Sequence, residues 1–428
     1  MSRPTLLSEH PLRARRDQAL LVMLIVVVWQ LYAISSFRMP WQEILVSDHD
    51  TGGKTRQIVF SLAVLVSVRW LAMCGSLGTT LGQRLILMGM AVYLSGTVFY
   101  STSPVLTIKR SMVFWFGTLT TLAVVHSLER PATFMQRTLT YMTGILAWVS
   151  IGAKFALPPA CWSIAERPGL AGVAGHPNTL GPFMGIGLIV ALGYSPRHPV
   201  ERAARPLLIG AMGLALVWAG SMTSILTTAA GVGIFVVLSS RPQLRGWIVT
   251  LGFIGGVAFA TLIGIVGKDQ LFYALGKDPS LTGRDVLWGA VVGEGMKSPI
   301  FGSGFGAFWV EGRGREIVGT WNPRQSHNSY IDLFVDLGVL GLIVFFAVIL
   351  NAVLRGWVLH HGYECTPQRK AVASMIAASC ALLFVYGGGE SFFCKFDKNP
   401  FLDLWWFVAL LGNRDTNNLS AEFAGRYV

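Results

Sequence analysis

A polar, glycine-rich stretch interrupts an otherwise apolar chain, and it carries an arginine and a histidine of the types that group transfer needs. The arginine lies in Thr282-Gly283-Arg284-Asp285-Val286-Leu287-Trp288 and the histidine in Ser326-His327-Asn328-Ser329-Tyr330. Between them runs Pro299-Ile300-Phe301-Gly302-Ser303-Gly304-Phe305-Gly306-Ala307-Phe308-Trp309. A guanidinium offers a planar fork of donors to phosphate oxygens. Arg284 could therefore hold the diphosphate of a membrane-anchored molecule and stabilise it as it departs. It could equally bond lipid headgroups or cap loop carbonyls. An imidazole titrates near neutrality and can take a proton from a hydroxyl. His327, at the mouth of an apolar run, suits that task, or a plain hydrogen bond at a helix N-terminus. No second histidine or carboxylate follows it at ligand spacing, so no metal site is read.

Other polar residues widen the choice. Glu390, in Gly387-Gly388-Gly389-Glu390-Ser391, is acidic at the end of an apolar run, where ionisable groups are functional candidates. It could also pair with Lys395 or Arg110 as a structural ion pair. Asp332 and Asp336 share a helix face and could orient His327 or pair with a basic neighbour. In His176-Pro177-Asn178, Asn178 reads as an N-cap. Gly302, Gly304 and Gly306 would permit a tight turn with exposed backbone N–H groups. Trp288, Trp309, Trp321, Phe305 and Phe308 could stack on sugar rings or form an interfacial aromatic belt. The chain has no Walker-type phosphate loop and no GxSxG elbow.

These residues must be positioned by a greasy scaffold. The chain has 428 residues, 53% hydrophobic and only 13% charged, with a mean hydropathy of +0.55. A soluble domain carries about 25% charged residues, so the exterior is read as facing lipid. The net charge of +12 does not mark a nucleic-acid binder, because the basic residues are scattered through short loops rather than gathered on one face. Five cysteines form neither a CxxC pair nor a metal spacing, and they read as small buried hydrophobes. Arg13, Arg15 and Arg16 precede a long first apolar run, which reads as an uncleaved span rather than a signal peptide.

Candidate spans cover 19–37, 57–75, 84–101, 110–128, 137–157, 178–194, 207–221, 224–240, 247–267, 330–354, 371–389 and 400–413. The expected fold is thus an all-α polytopic membrane protein of about twelve transmembrane helices. It is read as a single integral membrane domain, 1–428, with one large loop, 268–329, between the ninth and tenth spans. Arginine is denser in the connections after even-numbered spans, which places both termini inside and the large loop on the outer, periplasmic face. Within that loop, 286–296 reads as a helix along the membrane surface and 309–324 as a polar, mobile segment. No internal repeat is apparent, which argues against a transporter built of paired halves.

The motifs together resemble the O-antigen ligase and Wzy-type polymerase superfamily. The matching patches are Ser103-Pro104-Val105-Leu106-Thr107-Ile108-Lys109-Arg110, then Gly175-His176-Pro177-Asn178-Thr179-Leu180-Gly181, then the arginine and glycine-rich patches, and finally the histidine patch with Leu337-Gly338-Val339-Leu340-Gly341. The Gly-Ser-Gly-Phe-Gly-Ala-Phe-Trp run is most similar to the exopolysaccharide polymerase (ExoQ-like) branch. The resemblance implies a GT-C-type glycosyltransferase of the bacterial inner membrane. Such an enzyme moves a glycan from undecaprenyl pyrophosphate to a sugar hydroxyl at the periplasmic face, without nucleotide, metal or cofactor. It implies Arg284 and His327 as catalytic residues; Arg110, Lys395, Glu390, Asn328, Tyr330 and Asn178 are the candidates for binding pyrophosphate or glycan. The implied partners are the lipid-linked donor, the acceptor glycan and membrane lipid; a chain-length regulator protein is a candidate partner, and nucleic acid is not. Ligases of the family commonly carry an arginine where the seventh and eighth spans meet; this chain has Gly220-Ser221-Met222-Thr223-Ser224 there. That favours a polymerase, with Arg110 or another basic residue in the missing role, over a ligase; a lipid-linked glycan transporter is the non-enzyme alternative.

Overall fold

A computed structural model describes residues 81–127, 131–159, 162–163, 169–196, 198–266, 284–310, 312–319, 322–361, 367–391 and 393, with Leu65, Val68 and Gln270. The candidate spans 19–37, 57–75 (save Leu65 and Val68) and 400–413 lie outside the described residues, as do Thr282, Gly283, Trp321 and Lys395. Among the described residues there is helix and no strand. The helices are α1 (Leu81–Gly96), α2 (Pro104–Ser127), α3 (Pro131–Ala156), α4 (Pro177–Gly193), α5 (Pro199–Ala219), α6 (Met222–Ser239), α7 (Pro242–Val266), α8 (Arg284–Gly295), α9 (Arg313–Val318), α10 (Ser329–His361) and α11 (Pro367–Gly387).

The chain is a helical membrane protein in character. Met135–Ala156, Pro199–Ala219, Met222–Ser239, Ser329–Asn351 and Lys370–Gly387 are long and apolar enough to cross a bilayer, and Met88–Phe99 and Pro177–Gly193 are shorter apolar helices. Several helices start earlier than the hydropathy suggested. The reason is proline at the first helical position, where a missing N–H costs nothing and φ is already set. From Pro104 and Pro199 the helix runs on through Arg110 and Arg205 before the apolar stretch begins.

Small residues bring the central helices together. On α4, Gly181 and Gly185 face Ser224 and Thr228 of α6, and Gly231 of α6 faces Ile189 and the Ala378 carbonyl of α11. A side chain at any of these glycines would collide with the neighbouring helix, so the close approach depends on their absence. The packing puts the start of α4, the start of α6 and the end of α11 at one end of the bundle. The opposite end is tied by the Arg137–Glu201 ion pair at 2.6 Å, by Tyr194 Oη donating to Glu201 Oε2 and by Arg205 donating to the Ala191 and Leu192 carbonyls that end α4.

α10 corrects the expectation of one continuous span over 330–354. It breaks at Gly338, whose φ of 67° and ψ of −168° lie outside the helical region. The Gly-rich loop fills the break. Val339 N–H donates to the Pro299 carbonyl and Leu340 N–H to that of Ile300, while Ser303 and Gly304 N–H donate to the Val335 and Asp336 carbonyls. Donors and acceptors freed by the kink thus find partners on one intruding loop, as buried backbone must. Position 338 demands glycine twice over, since a Cβ there would stand 2.1 Å from the Ile300 oxygen.

Candidate active site

Four segments converge at the end of the bundle where α4 begins and α11 finishes. α8 brings Arg284 on its first turn, the turn before α10 brings His327, the segment after α11 brings Glu390, and the first turn of α4 brings Asn178. They meet at one carboxylate. Glu390 Oε1 accepts from Arg284 Nη2 at 3.1 Å and from Asn178 Nδ2 at 2.8 Å. Glu390 Oε2 lies 3.1 Å from His327 Nδ1. Arg284 Nη1 also donates to the Gly389 carbonyl.

The Glu390 side chain is 10% exposed. Burial alone would push its pKa up, but the hydrogen bond from His327 and the Arg284 guanidinium outweigh it and hold Glu390 below the usual carboxylate range. An ionised Glu390 accepts a hydrogen bond from Nδ1–H, which fixes the histidine tautomer and leaves Nε2 as the open basic nitrogen. The His327 side chain is 30% exposed, so a hydroxyl can reach it, and that of Arg284 is 15% exposed. Two of the five guanidinium N–H donors are directed at Glu390 and Gly389, which leaves others for an anion.

His327 has a φ of 55°, the one positive value at a non-glycine among the described residues. Left-handed backbone costs an ordinary residue about 1–2 kcal/mol, so the surroundings must impose it. Ser326 Oγ donates to the Asn328 carbonyl, and Asn328 N–H donates to the oxygens of Ser326 and Ser391. Asn328 Oδ1 caps α10 by accepting from Tyr330 and Ile331 N–H, and its Nδ2 donates to the Gly388 carbonyl. The histidine turn and the Glu390 segment are therefore stitched together by backbone and side chain alike.

Several sequence-based roles are redistributed. The N-cap of α4 is His176, whose Nδ1 accepts from Asn178 N–H; Asn178 itself is a Glu390 ligand. Its carbonyl, left without a helical donor because Pro182 follows four residues on, accepts from Tyr386 Oη at 2.7 Å. Asp332 and Asp336 do not touch the imidazole. Asp332 accepts from Trp309 Nε1 and Ser326 N–H, and Asp336 accepts from Phe308 N–H. Orientation of His327 falls to Glu390, for which the sequence suggested a salt bridge to Lys395 or Arg110. Tyr330 packs among Phe346, Phe384 and Phe393 and donates to the Phe384 carbonyl, joining α10 to α11.

The Gly-rich loop does not present a cradle of open amides. Gly302 N–H donates to Ser298 O, Ala307 N–H to Gly304 O and Phe305 N–H to Thr97 Oγ1, besides the bonds into α10. Its glycines serve close approach to Asp336, Ser101 and Arg110 instead. Phe305 and Phe308 are buried and cannot stack on a sugar. Arg110 lies across Gly306, and its buried Nε has no hydrogen-bond partner among the described residues. The polar segment after Trp309 holds the short helix α9, where Arg313 bridges Glu294 and Glu316. Among the described residues no group of three or more His, Cys, Asp or Glu is placed to hold a metal ion.

The resemblance drawn from the motifs is borne out by comparison with known proteins. Residues 207–346 match the family model described as O-antigen ligase. The matched segment contains Arg284 and His327 but neither Asn178 nor Glu390. The chain is also 27% identical over 278 residues to the exopolysaccharide production protein ExoQ of Rhizobium meliloti (strain 1021), a match covering 60% of this chain. The chain spans 61% of that relative's length.

Proposed function

We propose that this protein is a polysaccharide polymerase. It transfers a glycan from undecaprenyl pyrophosphate to a sugar hydroxyl of a second lipid-linked repeat unit, at the periplasmic face of the bacterial inner membrane. The likeness to an O-antigen ligase family and to an exopolysaccharide production protein supports glycan transfer in general. The observation that carries the reading is the single buried carboxylate shared by a guanidinium and an imidazole at one end of a membrane bundle. Arg137, Arg202, Arg205, Arg241 and Arg245 belong to the opposite end, and cations in short connections favour the cytoplasmic side. That bias supports an outward-facing site.

In the proposed reaction, His327 Nε2 takes the proton of the acceptor hydroxyl. The resulting oxygen attacks the anomeric carbon, a new C–O bond forms, and the bond from that carbon to the phosphate oxygen breaks. The electron pair leaves with undecaprenyl pyrophosphate, which Arg284 stabilises; Arg110 is the proposed second cation. A single displacement inverts the anomeric centre. Glu390 remains ionised and offsets the imidazolium charge as it forms. Holding donor and acceptor together removes much of the entropic barrier.

A ligase would use the same groups with lipid A core or protein as acceptor. The Gly220–Ser224 turn favours the polymerase, since it supplies no arginine there. Purified protein given lipid-linked donor alone separates the readings: a polymerase builds a ladder, and a ligase stays silent until the second acceptor is added. Failure of both reactions, with donor moved intact across vesicles, would point to a transporter and end the enzymatic reading.

A further inference from the structure

Two tryptophans that the sequence offered as sugar platforms have their indole N–H groups directed into the protein. Trp288 Nε1 donates to the Ser326 carbonyl at 2.8 Å. Trp309 Nε1 donates to Asp332 Oδ1 at 2.9 Å, and the same oxygen accepts from Ser326 N–H at 3.0 Å. The peptide groups on both sides of Ser326 are thus held. Ser326 is wholly buried and Asp332 is 3% exposed, so water does not compete well for these bonds.

We propose that Trp288 and Asp332 are positioning residues that clamp Ser326 and thereby fix His327 relative to Arg284; the inference rests on the glycan-transfer reading above. Trp288 follows Arg284 by one turn of α8 and lies on the same side of that helix. Its bond therefore ties the helix that carries the guanidinium to the turn that carries the imidazole. Asp332 stands on the first turn of α10 and holds the other side of the same residue. Its Trp309 partner belongs to the Gly-rich loop that is plugged into the break at Gly338. Three segments thus converge on the residue before His327, whose left-handed backbone needs such support. Released from the clamp, the turn relaxes toward negative φ, and the imidazole swings from its bond to Glu390.

The test uses full-length protein with purified lipid-linked donor and the variants W288F, D332N and D332A. W288F keeps an aromatic ring and removes the donor; D332N keeps an acceptor oxygen and removes the charge. Misplacement of a catalytic group by about 1 Å can cost about a hundredfold. We expect D332A to lower kcat about a hundredfold and W288F about tenfold, both with donor KM within about twofold, and D332N to recover most of the loss. Hydrogen exchange, read by mass spectrometry on 325–330, should quicken in W288F and D332A while α4 and α11 keep their protection. This arm stands without turnover, so a parent protein that forms no glycosidic bond would end the enzymatic reading and leave the clamp to be judged by exchange. A kcat within twofold of the parent in both W288F and D332A would overturn the proposal. So would unchanged exchange at 325–330, or exchange that rises equally throughout α4 and α11 in W288F.

Discussion

His327 Nδ1 and Glu390 Oε2 stand 3.1 Å apart across 63 positions of sequence. The contact decides which imidazole nitrogen is free. With Nδ1–H directed at the carboxylate, the lone pair on Nε2 is left to accept a proton, which is the state a general base needs.

Glu390→Gln should therefore be far more damaging than its small change in shape suggests. The amide oxygen will take the Arg284 and Asn178 donors, which leaves the NH2 group against Nδ1 and forces the other tautomer. We expect kcat to fall by about 10²–10⁴ with the protein still inserted, in line with the usual worth of acid–base catalysis. Single-turnover rates on purified lipid-linked donor measure it, and near-parental rates would remove Glu390 from the mechanism.

His327→Ala should abolish chain growth to a similar or greater degree, and Arg284→Lys should be severe although it keeps the charge. Lysine is a point charge without the planar fork. A drop of about 10²–10³ matches the loss of one oxyanion donor. Polymer length on gels, read beside the amount of membrane-inserted protein, decides both. Unchanged turnover in Arg284→Lys would show that fork geometry does not matter.

Asn178→Asp should be worse than Asn178→Ala. The alanine variant removes one donor to Glu390; the aspartate variant sets a second carboxylate where a donor stood 2.8 Å from Oε1. Like charges so close favour protonation of one of them. We expect the pH for half-maximal activity to rise in Asn178→Asp and to stay near parental in Asn178→Ala. Coincident pH–rate curves for the two variants would contradict this.

The lowered pKa of Glu390 also carries a sign for stability. The folded state holds its proton less tightly than the unfolded chain does. The contribution is therefore present above the ordinary carboxylate value of 4.5 and is lost as pH falls through the lower, folded value. The parent should melt above Glu390→Gln in detergent at neutral pH, and the gap should close on acidification below 4.5. A gap that widens in acid would reverse the assignment.

Gly338→Ala should destabilise the fold without touching the site chemistry directly. The new methyl meets the Ile300 carbonyl oxygen, and the backbone lies where L-residues are strained, at a cost of about 1–3 kcal/mol from the strain alone. A lowered thermal midpoint with weakened protection of 299–304 is the expected outcome. An unchanged midpoint would mean that the loop is not held by the break.

The candidate residues were legible because they stand out chemically. Arg284, His327 and Glu390 are charged or titratable groups at the edges of apolar runs, and an ionisable group beside lipid is too costly to go unnoticed. Helix positions were legible for the same reason, since apolar length is a local property. The proline starts were visible as residues, but hydropathy alone began the spans at 110, 137, 207 and 247, beside Arg110, Arg137, Arg205 and Arg245.

What the amino-acid order determined was a greasy helical scaffold and an inventory of polar groups near its ends. The tertiary structure decided who partners whom. Asn178 read as a cap and became a ligand of Glu390, because Gly181 and Gly185 let α4 settle against α6 beside α11. Three glycines within five residues looked like a set of open amides, yet Gly302 N–H turns back to Ser298 O, and the Ser303 and Gly304 N–H groups go to the Val335 and Asp336 carbonyls beside the kink at Gly338. Hydrogen bonds between distant segments depend on distances of a few ångströms set by helix packing, and neither periodicity nor composition encodes those. Residue type sets what a side chain can do, and packing sets which of those things it does.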